Sequence, residues 1–298
     1  MVHSFLELEK AAIAGESKKI ALTMAEEADA LTAVVNAADK NIVTPILVGD
    51  SVQIREIADK EELPISGFEI VDAKGEREAA AAAVELVRSG KADLLMKGKV
   101  PTPTIMKAAL NKETGIRGEG ILSHVTILET PFYHKFLFMS DPALNIAPDV
   151  QTKAEIIKNA VYVCQTLGIE RPKVAVIGAI EKVNPAMPPT LDAAVLSKMA
   201  HRGQIKNCIV DGPFALDNAI SKKSCAIKGI DTEVGGDADI LLMPDIEAAN
   251  VFYKSFAYLS DAKMAAVVIG ANAPIILSSR ADNDTIKYLS ILSGVSLA

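Results

Sequence analysis

The segment KGKVPTPT, residues 97–104, places basic, glycine and hydroxyl residues between an apolar run and a helical pattern. At such a strand-to-helix turn Gly98 lets the backbone approach a ligand, while Lys97 and the helix N-terminus attract an anion. The hydroxyls of Thr102 and Thr104 add hydrogen-bond donors. It is not a P-loop, because the GxxxxGK[ST] pattern is absent. The segment predicts an anion-binding turn; the alternative is a helix capped by either threonine, with solvated lysines.

A second segment, ILSSRAD at 276–282, ends an apolar run on hydroxyls and a guanidinium. Arg280 is suited to a bidentate grip on phosphate, and Ser279 can donate a hydrogen bond to a developing oxyanion. Asp282 follows directly. The alternative is that Asp282 caps the last helix and that Arg280 is merely exposed.

A third segment, GIRGEG at 115–120, is rich in glycine and carries Arg117. We expect a mobile basic loop that closes over a phosphate, with an ordinary surface turn as the alternative. His124 follows at the start of an apolar run, where a histidine is more often structural than catalytic.

A fourth segment, MPDIEAANVFYK at 243–254, begins with acidic residues that suit a helix N-terminus. Asn250 and Lys254 share one helix face at a spacing of four residues. A plain surface contact between them is the alternative to a role in binding.

Eleven short apolar runs alternate with amphipathic segments along the chain. Most are continuous rather than alternating, which is typical of strands covered on both faces, and the segments between them have helical spacing. The sequence therefore predicts an α/β protein of parallel βαβ units. The predicted strands are Lys19–Leu22, Pro45–Val48, Glu69–Val71, Asp93–Met96, Val125–Leu128, Phe136–Met139, Lys173–Ile177, Cys208–Val210, Ile240–Leu242, Ala266–Ile269 and Pro274–Leu277.

The order of these elements predicts two domains. A second series of alternating units starts near residue 130, and two closely spaced strands and a helix end the chain. We expect a discontinuous first domain, residues 1–129 with 268–298, and a continuous second domain, residues 130–267, which forms the dimer interface. Ligands often bind between such lobes, so the interdomain cleft is the predicted active site.

Composition excludes several function classes. The chain has 298 residues and a net charge of −7, which argues against non-specific binding to nucleic acid or anionic lipid. Its three cysteines form no CxxC pair and predict neither disulfides nor zinc, so a reducing cytoplasm is expected. A signal peptide, a membrane span, and the GxGxxG, HExxH and GxSxG motifs are not found in the sequence.

Four longer segments in the same order resemble the phosphate acetyl/butyryltransferase family, and its butyryl branch most. The resemblance implies two Rossmann-like three-layer domains of the isocitrate/isopropylmalate dehydrogenase type, in at least a homodimer. It implies exchange of an acyl group between CoA and phosphate, with CoA as substrate and neither a metal nor a tightly bound cofactor. The segments are LLMKGKVPTPTIMKAALNKETGIR, LSHVTILETPFYHKFLFMSDPALNIAPD, IVDGPFALDNAIS and MPDIEAANVFYKSFAYLSDAKMAAVVIGANAPIILSSRAD.

The resemblance also implies residue roles. Ser279 and Arg280 match the family's Ser-Arg pair, and Arg117 matches its phosphate-side arginine. Related acetyltransferases have an aspartate seven residues after the serine, where this chain has Ile286, so Asp282 is the first choice of base. Lys97, Thr102 and Thr104 are further phosphate candidates. The candidates for the CoA cleft are Gly98, Ser123, His124, Asn145, Asn250 and Lys254.

The expected reaction is butyryl-CoA + phosphate ⇌ butyryl phosphate + CoA, with a butyrate kinase as the partner enzyme in butanoate metabolism. Three alternatives remain at this stage. The first is a phosphate acetyltransferase, because one methylene contributes only about 1–3 kcal/mol to discrimination. The second is a metal- and NAD-dependent β-decarboxylating dehydrogenase, which shares the architecture. The third is a non-catalytic acyl-CoA-binding module.

Overall fold

A computed structural model describes residues 2–279 and 282–298 of the chain. It contains helices and strands in regular alternation, in agreement with the predicted α/β class. The strands are β1 (Lys18–Thr23), β2 (Val43–Gly49), β3 (Glu69–Asp72), β4 (Leu94–Lys97), β5 (Ser123–Glu129), β6 (Leu137–Ser140), β7 (Lys173–Ile177), β8 (Ile209–Phe214), β9 (Ile240–Leu242), β10 (Lys263–Ile269) and β11 (Ile275–Ile276). The helices are α1 (Phe5–Ala14), α2 (Ala28–Asp39), α3 (Ser51–Lys60), α4 (Glu76–Arg88), α5 (Thr102–Ala109), α6 (Val150–Thr166), α7 (Pro188–His201), α8 (Leu216–Ile220), α9 (Lys222–Lys228), α10 (Ile246–Leu259) and α11 (Asp284–Leu297).

The chain divides into two compact units. We call Phe5–Gly120 with Ala265–Ala298 the discontinuous unit, and Ile121–Met264, which also takes in the first residues of the chain, the central unit. Each unit has its own buried strands and its own covering helices. They are described separately below.

The discontinuous unit is built on strands in the order β3-β2-β1-β4-β11-β10. Neighbouring strands are parallel except for β10 and β11, which form an antiparallel hairpin. The β1 and β4 side chains are almost all buried, as continuous apolar runs require. Gly294 lets α11 lie close to β11, since a Cβ atom there would be 3.0 Å from Ile276 Cγ1. Helix α11 is thereby packed directly against the strand that leads into Ser279.

The central unit has strands in the order β5-β6-β9-β7-β8. The pairs β6–β9, β9–β7 and β7–β8 are parallel, and β5 and β6 are antiparallel. Its core includes Phe136, Phe138 and Phe214, all almost fully buried. The prediction of parallel βαβ units is thus correct for most pairs, and each unit adds one antiparallel pair.

All eleven predicted strands are present at the predicted places, with ends that differ by a few residues. Helical spacing predicts helices at 76–88 and 154–167; α4 has the first of these bounds, and α6 begins four residues before the second. The start of α5 also differs: it begins at Thr102, three residues before the predicted helix start, because Pro103 is well tolerated in a first turn. Among the described residues, no helix combines the length and apolar character needed to cross a lipid bilayer.

Candidate active site

Three parallel strands of the discontinuous unit end at the same edge of its sheet. Strand β4 lies between β1 and β11, with Lys97 opposite Thr23 and Met96 opposite Ile276. The carboxyl ends of parallel strands are the usual place for ligands in α/β proteins. The segments that follow β4 and β11 are the two that carry most of the predicted phosphate and catalytic residues.

The turn after β4 is held against the turn after β1 through the backbone. The Gly98 N–H donates to Thr23 O at 2.9 Å, and the Lys99 N–H donates to Met24 O at 2.9 Å. A Cβ atom on Gly98 would lie 2.4 Å from Met24 O. Glycine is therefore required for the close approach of two backbones, whether or not a ligand also binds there.

Lys97 is buried, with only 4% of its surface exposed. Its ammonium donates to Gly98 O at 3.1 Å. Lys97 thus brings a cationic side chain to the ends of parallel strands, which is where ligands usually bind in α/β proteins. The alternative of solvated lysines is therefore wrong for Lys97, although Lys99 is exposed.

Thr102 and Thr104 lie in the first turn of α5 rather than ahead of it. Pro101 occupies the N-cap position and offers no side-chain hydrogen bond, so capping by a threonine is wrong. Thr104 Oγ1 lies 3.4 Å from Glu76 Oε2 of α4. Both threonines are half-buried and remain near the positive end of the α5 dipole.

Ser279 and Asp282 are hydrogen-bonded to each other in the segment between β11 and α11, and we call these two residues the Ser279–Asp282 turn. The Ser279 N–H donates to Asp282 Oδ2 at 2.7 Å, and the Asp282 N–H donates to Ser279 O at 3.2 Å. Asp282 is 2% exposed, whereas Ser279 is half-buried. The α11 N-cap is Asn283, which accepts the Ile286 N–H at 3.0 Å, so the alternative of a cap by Asp282 is wrong. Arg280 lies outside the described residues.

Arg117 is exposed on a segment that is tied to the β10–β11 hairpin. It forms an isolated antiparallel bridge with Ala271, and the Asn272 N–H donates to Ile116 O at 2.8 Å. A Cβ atom on Gly118 would lie 2.3 Å from Gly270 O. Gly118 therefore permits a close backbone contact with the hairpin, and the mobility of the loop stays a prediction.

Three buried oxygens at the strand ends were missed by the sequence analysis. Thr23 Oγ1, Ser278 Oγ and Glu26 Oε2 are almost inaccessible to solvent and have no hydrogen-bond partner. The other carboxylate oxygen of Glu26 accepts the Asp50 N–H at 2.6 Å. In the sequence, Thr23 and Ser278 could have been found as hydroxyl residues at the ends of apolar runs. Such groups are costly to bury unsatisfied, so they mark positions where water or a ligand completes the bonding.

A groove of about 600 Å³ separates α4 and α5 beside Thr104. Its lining combines small apolar side chains with two basic side chains, the acidic Glu85 and an amide, and a mixed lining of this kind is common in ligand sites. No sequence motif predicts this groove. Its lining includes Arg77, Ala80, Val84, Pro103, Lys107 and Asn111.

The predicted cleft residues of the central unit hold backbone segments together. Asn159 Nδ2 donates to Ser123 Oγ at 2.9 Å, and Asn145 Nδ2 donates to Leu122 O at 2.9 Å and to Asp141 Oδ2 at 2.6 Å. Ser123 and His124 are buried, and the His124 ring makes an edge contact with Tyr253 at 6.4 Å between centroids.

Asn250 and Lys254 lie on α10, as predicted. Asn250 Nδ2 donates to Pro142 O at 3.1 Å, which links the helix to the segment that carries Asn145. The Lys254 ammonium lies 5.4 Å from the Tyr253 ring and 5.6 Å from the Tyr258 ring. Asn250 thus links α10 to a neighbouring backbone segment, and the Lys254 ammonium lies beside two tyrosine rings of the same helix.

The cysteines have the environment of structural residues. Burial raises the pKa of the Cys164 thiol well above its ordinary value and raises that of Cys208 to about 11. Cys225 is buried as well, and burial is the main cause that raises its pKa. Thiols of this kind stay protonated near neutrality and are poor nucleophiles. Within residues 2–279 and 282–298, no group of three or more His, Cys, Asp or Glu side chains is arranged to hold a metal ion.

Comparisons with known proteins identify the family of this chain. The profile described as phosphate acetyl/butaryl transferase matches residues 4–82 and 75–292. A phosphate butyryltransferase from Clostridium acetobutylicum is 46% identical over 98% of this chain and 97% of its own length. A phosphate acetyltransferase from Thermotoga maritima is 43% identical over 93% of this chain and 94% of its own. The crystal structure of a branched-chain phosphotransacylase from Enterococcus faecalis superposes with a TM-score of 0.83 at 31% identity, covering 94% of this chain and 98% of that one.

Proposed function

Because this chain belongs to the phosphate acetyl/butaryl transferase family, we propose that it transfers a butyryl group reversibly between CoA and inorganic phosphate. The chain is an acyltransferase with the two-unit α/β fold of its family. The observation that carries the proposal is the edge of the discontinuous unit where Lys97 and the Ser279–Asp282 turn follow adjacent parallel strands. That edge presents a buried cation and a hydroxyl at one place, as transfer between a thioester and phosphate requires.

The reaction needs no covalent enzyme intermediate. The CoA thiolate attacks the carbonyl carbon of butyryl phosphate, the new C–S bond forms, the C–O bond to phosphate breaks, and phosphate leaves. A thiol of this kind has an intrinsic pKa near that of cysteine, about 8.5, so a carboxylate needs only to assist its ionisation. Orientation of two bound substrates supplies on the order of 7–11 kcal/mol of barrier reduction in comparable reactions.

Ser279 is proposed to donate a hydrogen bond to the carbonyl oxygen as that oxygen gains charge. Its half-buried position at the end of β11 supports this role. Arg280 and Arg117 are proposed to neutralise the phosphoryl oxygens. The exposed Arg117 and the bridge that anchors its backbone beside the β10–β11 hairpin support its assignment. Lys97, Thr102 and Thr104 are proposed to complete the phosphate site.

Asp282 is proposed to be the base, and one pair of variants separates that role from a structural one. An Asp282→Asn side chain still accepts the Ser279 N–H but cannot take a proton, whereas Asp282→Ala loses both abilities. A base role predicts that both variants lose kcat, on the order of 10²-fold. If Asp282→Asn keeps its turnover and only Asp282→Ala loses it, Asp282 acts by holding the turn and another group takes the proton.

The CoA moiety is proposed to extend toward the groove between α4 and α5. The basic Arg77 and Lys107 in its lining suit phosphates, although Glu85 lies there too, and the apolar Ala80 and Val84 suit the pantetheine arm. Among the remaining cleft candidates, Gly98 is proposed to keep the β4 turn close to its neighbour. Ser123, His124, Asn145, Asn250 and Lys254 are proposed to shape the central unit, since their described contacts join helices and backbone segments.

The direct experiment is thiol release from butyryl-CoA, followed with a thiol reagent, with and without phosphate. Release that requires phosphate, and that is faster than release from acetyl-CoA under the same conditions, is expected. Faster release from acetyl-CoA would assign the chain to the acetyl branch of the family. That branch is the second candidate because of the similarity to the phosphate acetyltransferase from Thermotoga maritima. No phosphate-dependent release from either thioester by folded protein would overturn the proposal.

Several broader features are also proposed. They are a homodimer, a place in butanoate metabolism beside a butyrate kinase, a cytoplasmic location, and no tightly bound cofactor. Exposed apolar side chains on α10, among them Val251, Tyr258 and Leu259, support self-association. The three free cysteines support a reducing compartment. Separate folding domains are proposed at 1–129 with 268–298 and at 130–267; the division into one discontinuous and one continuous unit supports two domains, although the units change at residues 120/121 and 264/265.

A further inference from the structure

Helix α11 carries a lysine that is buried as completely as a core leucine. Lys287 is 1% exposed, although lysine is among the residues least often buried without a charged partner. It lies one helical turn after the Asn283 cap, and its backbone N–H donates to Asn283 O at 3.2 Å. Long side chains on helices point toward the helix N-terminus, so the ammonium is directed back at the turn that precedes α11.

The Lys287 ammonium contacts both the turn before α11 and the segment that follows β1. It donates a hydrogen bond to the backbone carbonyl of Asp282. It also lies 3.1 Å from Glu27 Oε1, in the segment between β1 and α2, and 3.9 Å from Asp29 Oδ2. Glu27 is mostly buried, with 20% of its side chain exposed, whereas Asp29 is more than half exposed. The Glu27 contact is therefore the one least screened by water.

The Ser279–Asp282 turn is restrained by a hydrogen bond between its own residues and by contacts with other elements. From within, Asp282 Oδ2 accepts the Ser279 N–H at 2.7 Å. From outside, Lys287 fixes the Asp282 carbonyl, and Glu27 fixes the position of Lys287. Removing the Glu27 charge leaves the buried Lys287 ammonium with the more distant and more exposed Asp29, which is more costly than losing an exposed ion pair.

We propose that Lys287 and Glu27 are positioning residues, which form a buried clasp that holds the Ser279–Asp282 turn in the geometry required for acyl transfer. This inference rests on the proposed function for its kinetic consequence. Neither residue touches the substrate in this proposal. They act through the backbone of Asp282, and a displacement of about 1 Å at a reacting group can cost on the order of 10²-fold in rate.

The test compares Lys287→Met with a matched control, Lys40→Met. Lys40 also pairs with a carboxylate against α11, since its ammonium is 2.5 Å from Glu9 Oε1 and 5.0 Å from the centre of the Tyr288 ring. These contacts are with Glu9 and Tyr288 and not with Ser279 or Asp282. Lys287→Met is expected to lower kcat on the order of 10²-fold with KM for butyryl-CoA changed less than about threefold, and Lys40→Met is expected to change kcat less than about threefold.

Amide hydrogen exchange gives a second readout that does not depend on turnover. Faster exchange at the Ser279 and Asp282 amides is expected in Lys287→Met and not in Lys40→Met, because only the first variant releases the turn. If the wild-type protein shows no phosphate-dependent thiol release, the proposed function fails while exchange still tests the clasp. Unchanged exchange at both amides, or a kcat within about threefold of wild type in a protein that does turn over, overturns the inference.

Glu27→Gln removes the more exposed of the two charges, and it provides a test of the clasp if Lys287→Met does not fold. Loss of this charge is expected to lower kcat about three- to tenfold and to accelerate exchange at the same two amides. In the double variant with Lys287→Met, the Glu27 change is expected to add almost nothing, since the two residues act as one unit. Additive losses in kcat would contradict the clasp.

Discussion

The discontinuous and central units contain similar polar side chains near strand ends, but they use them differently. In the discontinuous unit, Thr23 Oγ1 and Ser278 Oγ are buried without a hydrogen-bond partner. In the central unit, the side chains of Asn145 and Asn250 donate to the backbone carbonyls of Leu122 and Pro142. Residue type alone does not separate a binding site from a scaffold. What differs between these two pairs of side chains is whether their hydrogen-bonding capacity is already used within the fold; the central unit also has a buried hydroxyl without a partner, that of Thr126 on β5.

The comparison is tested most strongly by Ser279→Ala. If the discontinuous unit carries the chemistry, loss of this hydroxyl is expected to lower kcat on the order of 10²–10³-fold, as for other oxyanion donors, with a smaller change in KM. Steady-state kinetics with butyryl-CoA and phosphate measure the effect. Ser296→Ala is the matched control, because its hydroxyl donates only to Leu292 O of the same helix, at 3.1 Å. An unchanged kcat in Ser279→Ala would remove Ser279 from the mechanism.

Gly98→Ala tests whether the strand-end geometry is needed. The new Cβ atom would lie 2.4 Å from Met24 O, so the two turns must separate. A loss of about 1–3 kcal/mol in the free energy of unfolding is expected, together with weaker phosphate binding. Urea unfolding and the KM for phosphate measure the two effects.

Gly120→Ala is the control for that substitution, since a Cβ atom there meets nothing within 4 Å. It is expected to leave both quantities nearly unchanged. Equal behaviour of the two alanine variants would show that the close approach of the β1 and β4 turns is not required.

Asn145→Ala tests whether the polar side chains of the central unit act on stability rather than on turnover. It removes the donors to Leu122 O and to Asp141 Oδ2, so a loss of about 1–3 kcal/mol in unfolding free energy is expected. Turnover of the folded variant is expected to stay within about threefold of wild type. Thermal unfolding and kcat are measured beside Asn36→Ala, an exposed asparagine on α2. A large loss of kcat without loss of stability would give Asn145 a direct role in the reaction.

The smallest expected effect is a pH dependence of stability in the central unit. Burial alone would raise the pKa of Asp237, but hydrogen bonds from Lys173 and Lys135 outweigh it and hold the pKa well below its ordinary range. A carboxylate with a lowered pKa stabilises the fold above its unfolded value, near 4, and loses that contribution as the pH falls. Wild type and Asp237→Asn are therefore expected to differ most near neutrality and to converge in acid, as measured by urea unfolding. A difference independent of pH would contradict this assignment.

The sequence predicted the elements well because their signals are local. Continuous apolar runs marked all eleven strands, and helical spacing marked α4 at its observed ends. The α5 boundary was missed, since the residues before Pro103 carry no apolar pattern that distinguishes a first helical turn from a loop. Four motifs in order were sufficient to identify the family.

The site could be predicted only in part. Residue types at the ends of β4 and β11 predicted Lys97 and Ser279, but no local signal showed that Lys97 is buried or that Asp282 accepts the Ser279 N–H. Lys287 and Glu27 were missed because about 260 residues separate them in the chain. A polar residue inside an amphipathic helix has the same local pattern whether it faces solvent or a buried carboxylate.

The amino-acid sequence by itself determined the α/β class, the strand positions, the family and the residue types available for acyl transfer. Those properties follow from local hydrophobic periodicity and from short motifs. The tertiary structure decided which polar groups remain available, because that depends on partners brought together by parallel strand pairing. It placed Lys97 beside the turn after β1, and it buried Lys287 between the Asp282 carbonyl and Glu27. Hydrogen-bond satisfaction and charge burial are properties of the packed molecule, and no local sequence pattern determines them.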